Sequence, residues 1–587
     1  MRAAIRAVVL ACFAAGAAGR ADAQPIPPTD DLRTHYDVQY YRLDLQVLPR
    51  ARQIAGIGVV QGTVLVEALP VVAIDLHRQL AVDAVHLVPL DCGKEKSIPL
   101  GDALTYRRDD GEHAMLRVTL PAPVAKGGRF AVAVRYHGAP PVQGDPQRAF
   151  TGFHFRQTED GAPWINTSCQ GIGAHTWWPC KASFFYPDDK QDRMDLNIHV
   201  PGALVAACNG RLVGVDAAPH PEGSGRVFRW HHPYPCCTYS IALNVAPYVD
   251  LKSEIKLPGL ERKLPVHFFV LPRDVEKAKI QFAVVPEMLR FFGEKFGPFA
   301  FPEAKYALVQ TNYWGMEHST IVAYGSSFPD ALKKLGTGRD AWAARNRWFD
   351  YILIHESAHE WWGNAVSATD WGHFWIHEGF GTYAEVLWVE HVHGPQKMHE
   401  FVAEYARNVH DGVPIYQASH ATGHEAYNAS RGNIYYKGAC VLHQLRGVMG
   451  DEPFFRALKR FNLEFRYKNA STEDWQKTCE AESEQALGWF FKSWVYGVGR
   501  AEPTVAVEAD PDGAALVTRL HSTTPENSFR WPLRVTVKRG GKPETATVWM
   551  EPGEHRQVVR DAKPGNVKVE GLEWLVLTPA NKAGRPR

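Results

Sequence analysis

The sequence carries no excess of either charge. Lys and Arg number 65, Asp and Glu 64, and the formal net charge is +1 over 587 residues. No long block of one sign occurs, so no polyanion is implied as a partner, and no nucleic-acid signature is present. Beyond residue 23 no apolar run approaches the about 20 residues that a membrane helix needs. No internal repeat is found. Of the nine cysteines, none has the spacing of a metal-ligand set.

What is present starts with length. A chain of 587 residues is too long for one core and suits about three or four domains. Arg2 and Arg6 make a basic start, residues 7–18 a short apolar stretch, and Ala21-Asp22-Ala23 a small-x-small cleavage pattern before Gln24. Arg20 and Asp22 interrupt any membrane anchor. Val9-Leu10-Ala11-Cys12 resembles a lipoprotein box, but the apolar run continues past Cys12, which disfavours lipidation. Residues 1–23 are therefore read as a bacterial signal peptide, and the mature protein as exported, periplasmic or secreted, with no membrane span. In that oxidising setting some of the eight remaining cysteines would pair. Five of them lie between 169 and 237, which invites a local disulfide of unspecified connectivity.

Residues 24–250 read as an antiparallel β domain, a saddle or sandwich. Stretches 41–47, 115–120, 130–135 and 195–200 alternate apolar and polar, the period of a half-buried strand, with Gly, Pro and Asp clusters between them. From 251 to 500 helices dominate. Residues 274–296 have helical spacing and stop at Gly297-Pro298, and 306–310 read as a strand. Alternation resumes at Pro503, giving a small β-sandwich over 501–580, followed by a basic tail, 581–587, expected to be disordered. The fold class is thus multidomain α+β.

One stretch carries chemistry. His355-Glu356-Ser357-Ala358-His359 is a His-Glu-x-x-His pentapeptide. On a helix, residues four apart share a face, so His355 and His359 can offer their imidazoles to one metal ion. Glu356 falls beside that ion, where a carboxylate can take the proton of an attacking water. After a gap of eighteen residues beyond His359 comes Glu378, a candidate third ligand. Two imidazoles and one carboxylate leave a position open, as in catalytic zinc sites. The apolar run 351–354 would bury the helix, and Gly363-Asn364 would end it.

Two further segments give the stretch a context. Tyr313-Trp314-Gly315-Met316-Glu317-His318 lies upstream and Tyr435-Tyr436-Lys437-Gly438-Ala439 downstream. The three motifs in this order resemble the gluzincin zinc-aminopeptidase family, the family of aminopeptidase N and leukotriene A4 hydrolase. Trp362-Gly363-Asn364, Phe374-Trp375 and Phe490-Phe491-x-x-Trp494 fit the same pattern, so the resemblance covers nearly the whole chain after residue 23.

The resemblance implies a thermolysin-like, mostly helical catalytic domain at 251–500 and one Zn2+ per chain, bound by His355, His359 and Glu378. It implies a zinc-dependent aminopeptidase acting on peptides with a free N-terminus. Glu356 would be the general base for a zinc-activated water, and Tyr435 would stabilise the oxyanion. Glu317 would bind the substrate's α-ammonium by a charge-assisted hydrogen bond, with Gln170 assisting. Gly315 and Met316 would lie along the peptide backbone. Oligomeric state stays open.

The chain also departs from the family pattern. His318 stands where the family has Asn, Trp314 where it usually has Gly, and His377 where many members have Asn; Ser168 replaces a Gln seen in some relatives beside Gln170. The two histidines are expected as extra titratable groups near the metal, and Trp314 as bulk in the pocket for the first side chain. Two alternatives remain: epoxide hydrolysis, which some family members carry out, and a binding scaffold of the same fold without catalysis.

Overall fold

A computed structural model describes residues 31–90, 92–110, 115–143, 151–169, 173–182, 189–340, 343–416, 429–539 and 542–581. The signal read in 1–23, Gln170 and the tail from 582 onward lie outside the described residues. The chain divides into two compact units, the first reaching Asp370 and including Phe465–Asn469, the second holding the rest.

In the first unit, Tyr36–Leu48 runs through the middle of a seven-stranded sheet ordered Arg211–His220, Gly223–His232, Arg193–Pro201, Tyr36–Leu48, Gln53–Val64, Arg129–Gly138, Leu80–Leu87. Its neighbours pair antiparallel, with one exception to the sequence expectation. Tyr36–Leu48 and Arg193–Pro201 run parallel, Tyr40 opposite Arg193. Parallel partners need a long crossover, and the intervening chain supplies it as further strands. Arg33 is buried and answered by Asp31 at 2.8 Å and Asp75 at 2.9 Å, because a charge taken out of water must be paired.

A second sheet of this unit positions the site. Its order is Val249–Ile255, Leu264–Val270, Tyr306–Gln310, Val322–Tyr324, Gly315–Met316. The central pairs are parallel. The two-residue edge strand runs antiparallel, Gly315 opposite Tyr324 and Met316 opposite Ala323.

Among the described residues, these sheets are accompanied by α1 (Val275–Gln281), α2 (Val285–Phe296), α3 (Pro329–Leu335) and α4 (Tyr351–Ala358). The single helix expected over 274–296 is two, separated by a 3-10 turn at Phe282–Val284. Pro286 has no amide hydrogen to give, so it sits in the first turn of α2 rather than inside a longer helix. Phe292 and Phe296 of α2 and Phe299 beyond it surround Trp361, with ring centroids 5.7, 6.2 and 5.7 Å away. The Trp361 indole donates to the Gly297 carbonyl at 2.8 Å. The chain leaving α4 is thereby fixed to α2.

The second unit contains α5 (Trp375–His393), α6 (Pro395–Ala406), α7 (Tyr436–Met449), α8 (Asp451–Glu464), α9 (Thr472–Ser483) and α10 (Gly488–Trp494). Residues 375–389 of α5 are all buried, so this helix is core on every side. Two three-stranded sheets follow, ordered Ala501–Asp510, Gly513–Ser522, Gly553–Arg560 and Lys542–Met550, Trp531–Arg539, Val567–Glu570. Buried Arg500, at the start of the first strand, donates to Asp411 at 2.6 Å and to the Ala406 carbonyl at 2.8 Å, fastening this end of the chain to the end of α6. The architecture is the expected multidomain α+β one.

The cysteine expectation is corrected. All eight described cysteines are buried and none is in a disulfide. Cys169 accepts from the Trp177 indole at 3.2 Å, and burial pushes its pKa up to about 12.

Candidate active site

Asp350 starts α4. Its carboxylate accepts from the Leu353 amide at 3.3 Å and from the Tyr324 hydroxyl at 2.6 Å. Ile352, Leu353 and Ile354 bury the next turn, and His355 and His359 follow four residues apart, 4 % and 1 % exposed. His359 Nδ1 lies 2.8 Å from the Trp362 carbonyl oxygen. A carbonyl only accepts, so Nδ1 carries the hydrogen and Nε2 presents a lone pair. His355 Nε2 is 3.2 Å from that atom. Two buried imidazole nitrogens converging on one point, one of them fixed in its tautomer by a carbonyl, suit a zinc ion.

Glu356 turns toward the edge strand. A Cβ added at Gly315 would lie 2.7 Å from Glu356 Oε1 and 2.9 Å from Ile352 Cγ2. The missing side chain at 315 is therefore the space into which the Glu356 carboxylate fits, a closer reason for glycine than backbone pairing alone. Met316 is buried beside it. One ligand atom each from Glu317, Glu356 and His359 lie within 4.8 Å of one another. Glu317 is 2 % exposed. Its carbonyl accepts from the Asn364 amide at 2.9 Å, and its carboxylate from the Tyr239 hydroxyl at 3.2 Å. Glu360 accepts from the Thr320 amide at 2.6 Å.

His318 directly follows Glu317 in the chain. It is fully buried, neither ring nitrogen meets a partner among the described residues, and burial pushes its pKa down to about 3. Burial therefore disfavours its charged form. Trp314 is half-buried just ahead of the edge strand.

The remaining site residues belong to the second unit. Glu378 sits in the first turn of α5, 1 % exposed, where a helix N-terminus favours a carboxylate. His377 is buried with its ring 4.5 Å from that of Phe374. Tyr435 precedes α7 and Tyr436 begins it; both are partly exposed, and Tyr436 packs on Tyr405 at 5.4 Å. Asn433 donates to the His410 carbonyl at 2.8 Å and the Val413 carbonyl at 2.7 Å, and Lys437 Nζ to the Gly497 carbonyl at 2.8 Å. Burial pushes Lys437 down to about 7. These bonds fix the chain on both sides of Tyr435.

Residues 280–494 match the peptidase family M1 domain. That segment spans the three motifs read from the sequence. Similar proteins include aminopeptidase N of Streptomyces lividans, 24 % identical over 324 residues, which are 53 % of this chain and 37 % of that protein. Leucine aminopeptidase 2 of Emericella nidulans is 25 % identical over 357 residues, 57 % of this chain and 53 % of that one. The chain thus spans about a third to a half of the length of these relatives. Among solved structures, the M1 zinc metallopeptidase of Deinococcus radiodurans superposes with a TM-score of 0.61 at 22 % identity, covering 78 % of this chain and 93 % of that one. That likeness is one of fold.

Three residues around the M1 motifs were not singled out as site residues from sequence. Asn364 read as a helix stop and as part of the family pattern, with no role of its own, although its side-chain amide holds the Glu317 carbonyl. Glu360 follows His359 directly, yet no spacing rule links it to Thr320. Tyr239 lies 78 residues from Glu317 in the chain and carried no motif signal.

Proposed function

We propose that this chain is a zinc-dependent aminopeptidase. The observation that carries the reading is the closeness of Glu317, Glu356 and His359, within 4.8 Å of one another. A carboxylate that takes the substrate's α-ammonium this near the general base leaves room for about one residue, since successive Cα atoms are about 3.8 Å apart. Such a site selects the first peptide bond and rejects chains that continue past the amine.

His355, His359 and Glu378 would hold the zinc, which when bound acts as a Lewis acid and raises the acidity of water. Glu356 accepts the water's proton and returns it to the leaving amine. Glu317 anchors the ammonium, with Gln170 as a second contact. Gly315 and Met316 offer an unpaired strand edge to an extended peptide. Tyr435 donates its hydroxyl to the developing oxyanion. Its place at the N-cap of α7, with Tyr436 packed on Tyr405, supports it over Tyr436. The apolar N-terminal stretch supports export of the enzyme.

The test is a matched pair of substrates, a peptide with a free α-amine and its N-acetylated form, with zinc measured per chain. Cleavage of the first bond of the free form alone, with zinc present, is expected. Equal cleavage of both forms, or release of internal fragments, would overturn the exopeptidase assignment.

A further inference from the structure

We infer that Tyr239 is a positioning residue for Glu317, an inference that rests on the aminopeptidase reading. Tyr239 sits in the 3-10 turn Thr238–Ser240, outside residues 280–494, and is 4 % exposed. Its hydroxyl donates to Glu317 Oε1 at 3.2 Å.

The segment carrying Glu317 is gripped along its backbone from two directions. Asn364 donates to the Glu317 carbonyl at 2.9 Å, and Glu360 accepts from the Thr320 amide at 2.6 Å, both from the chain following α4. From the β-rich part, Asn209 donates to the Ser319 carbonyl at 2.6 Å, and the Gly210 amide to the Thr320 hydroxyl at 2.8 Å. Thr320 is held in the left-handed region, φ 60°, a conformation a β-branched residue adopts only when its surroundings impose it. These contacts fix the main chain. They leave the three side-chain torsions of Glu317 to be set by what reaches its carboxylate, and Tyr239 does.

A phenol suits this task. It is neutral, so it orients a carboxylate without supplying the cation the substrate must bring. With the carboxylate already held by the hydroxyl, substrate binding bears less of the cost of ordering a long side chain. Tyr239 thereby acts on amine affinity rather than on the bond-breaking step.

The experiment compares wild type, Tyr239→Phe, Glu317→Ala and the double variant on an aminoacyl-p-nitroanilide. Calorimetric affinity for L-leucinamide, zinc per chain and Tm accompany the kinetics. Tyr239→Phe should raise KM about ten-fold, the scale of one hydrogen bond to a charged group, with kcat within about two-fold. Leucinamide affinity should fall by the same factor while zinc and Tm hold. In the Glu317→Ala background the same change should do nothing further. An unmoved KM, a loss carried by kcat, or an equal effect without Glu317 would overturn the assignment. If Tyr239→Phe lowers Tm, 3-fluorotyrosine at 239 keeps the ring and strengthens the donor; KM should then fall, and an unchanged KM would overturn it. Failure of the underlying reading looks different: the wild type itself would not distinguish free from acetylated amines.

Discussion

Gly379 and Gly438 meet where α5 and α7 cross. A Cβ at Gly438 would lie 2.8 Å from the Gly379 Cα. One glycine follows Glu378 and the other follows Lys437, so the contact that lets these helices touch also sets the spacing of two motifs. The clash would be with backbone, which no rotamer change relieves. Gly438→Ala should cost about 1–3 kcal/mol, read as a lower Tm, and should reduce turnover with it. A variant as stable and active as wild type would mean the helices can separate freely.

Gly315→Ala tests a different contact. The new methyl would meet Glu356 Oε1 at 2.7 Å and Ile352 at 2.9 Å. The flexible carboxylate would yield first, so the base moves while the fold holds. The expected outcome is a kcat loss of about ten- to hundred-fold, within the range of general-base catalysis, with Tm and bound zinc nearly unchanged. A loss confined to KM would instead assign Gly315 to peptide pairing alone.

Glu317→Ala should raise KM for free-amine substrates by about ten- to hundred-fold and leave zinc content intact. Loss of zinc in this variant would make Glu317 a contributor to the metal centre.

Acid should destabilise the protein before its ordinary carboxylates titrate. Burial pushes His154 down to about 4 and His232 to about 3, from 6.5. Below pH 6.5 the unfolded chain takes up protons that these folded histidines refuse, so stability falls as pH drops. Each contributes about 1.4 kcal/mol per pH unit between pH 6.5 and its folded value. Urea unfolding from pH 7 to 5 should show this slope, and His154→Phe should lessen it. A slope unchanged by that substitution would mean His154 charges while folded. His318 follows the same logic, so replacing it should leave the shape of the pH–activity curve alone.

Local chemistry made much of this legible. Alternation marked strands such as Arg193–Pro201, where every second residue is buried, and the four-residue histidine spacing marked α4 because a helix brings those positions together. What stayed hidden depends on distant pairing. The parallel match of Tyr40 with Arg193 joins segments about 150 residues apart, and nothing in either strand encodes its partner. Tyr239 reaches Glu317 across 78 residues from a turn with no period. The division of 274–296 was readable in principle, since Pro286 cannot lie mid-helix; the helical spacing on either side masked it. The cysteines misled because composition suggests a redox setting but not geometry.

The central claim is that Glu356 is the base of a zinc aminopeptidase. Its most direct test is Glu356→Gln, which keeps shape and removes the charge. Turnover of an aminoacyl-p-nitroanilide should fall by about 10²–10⁴-fold, while zinc per chain, Tm and leucinamide affinity stay at wild-type values. A variant that binds zinc, melts normally and still turns over within about ten-fold of wild type would contradict the account.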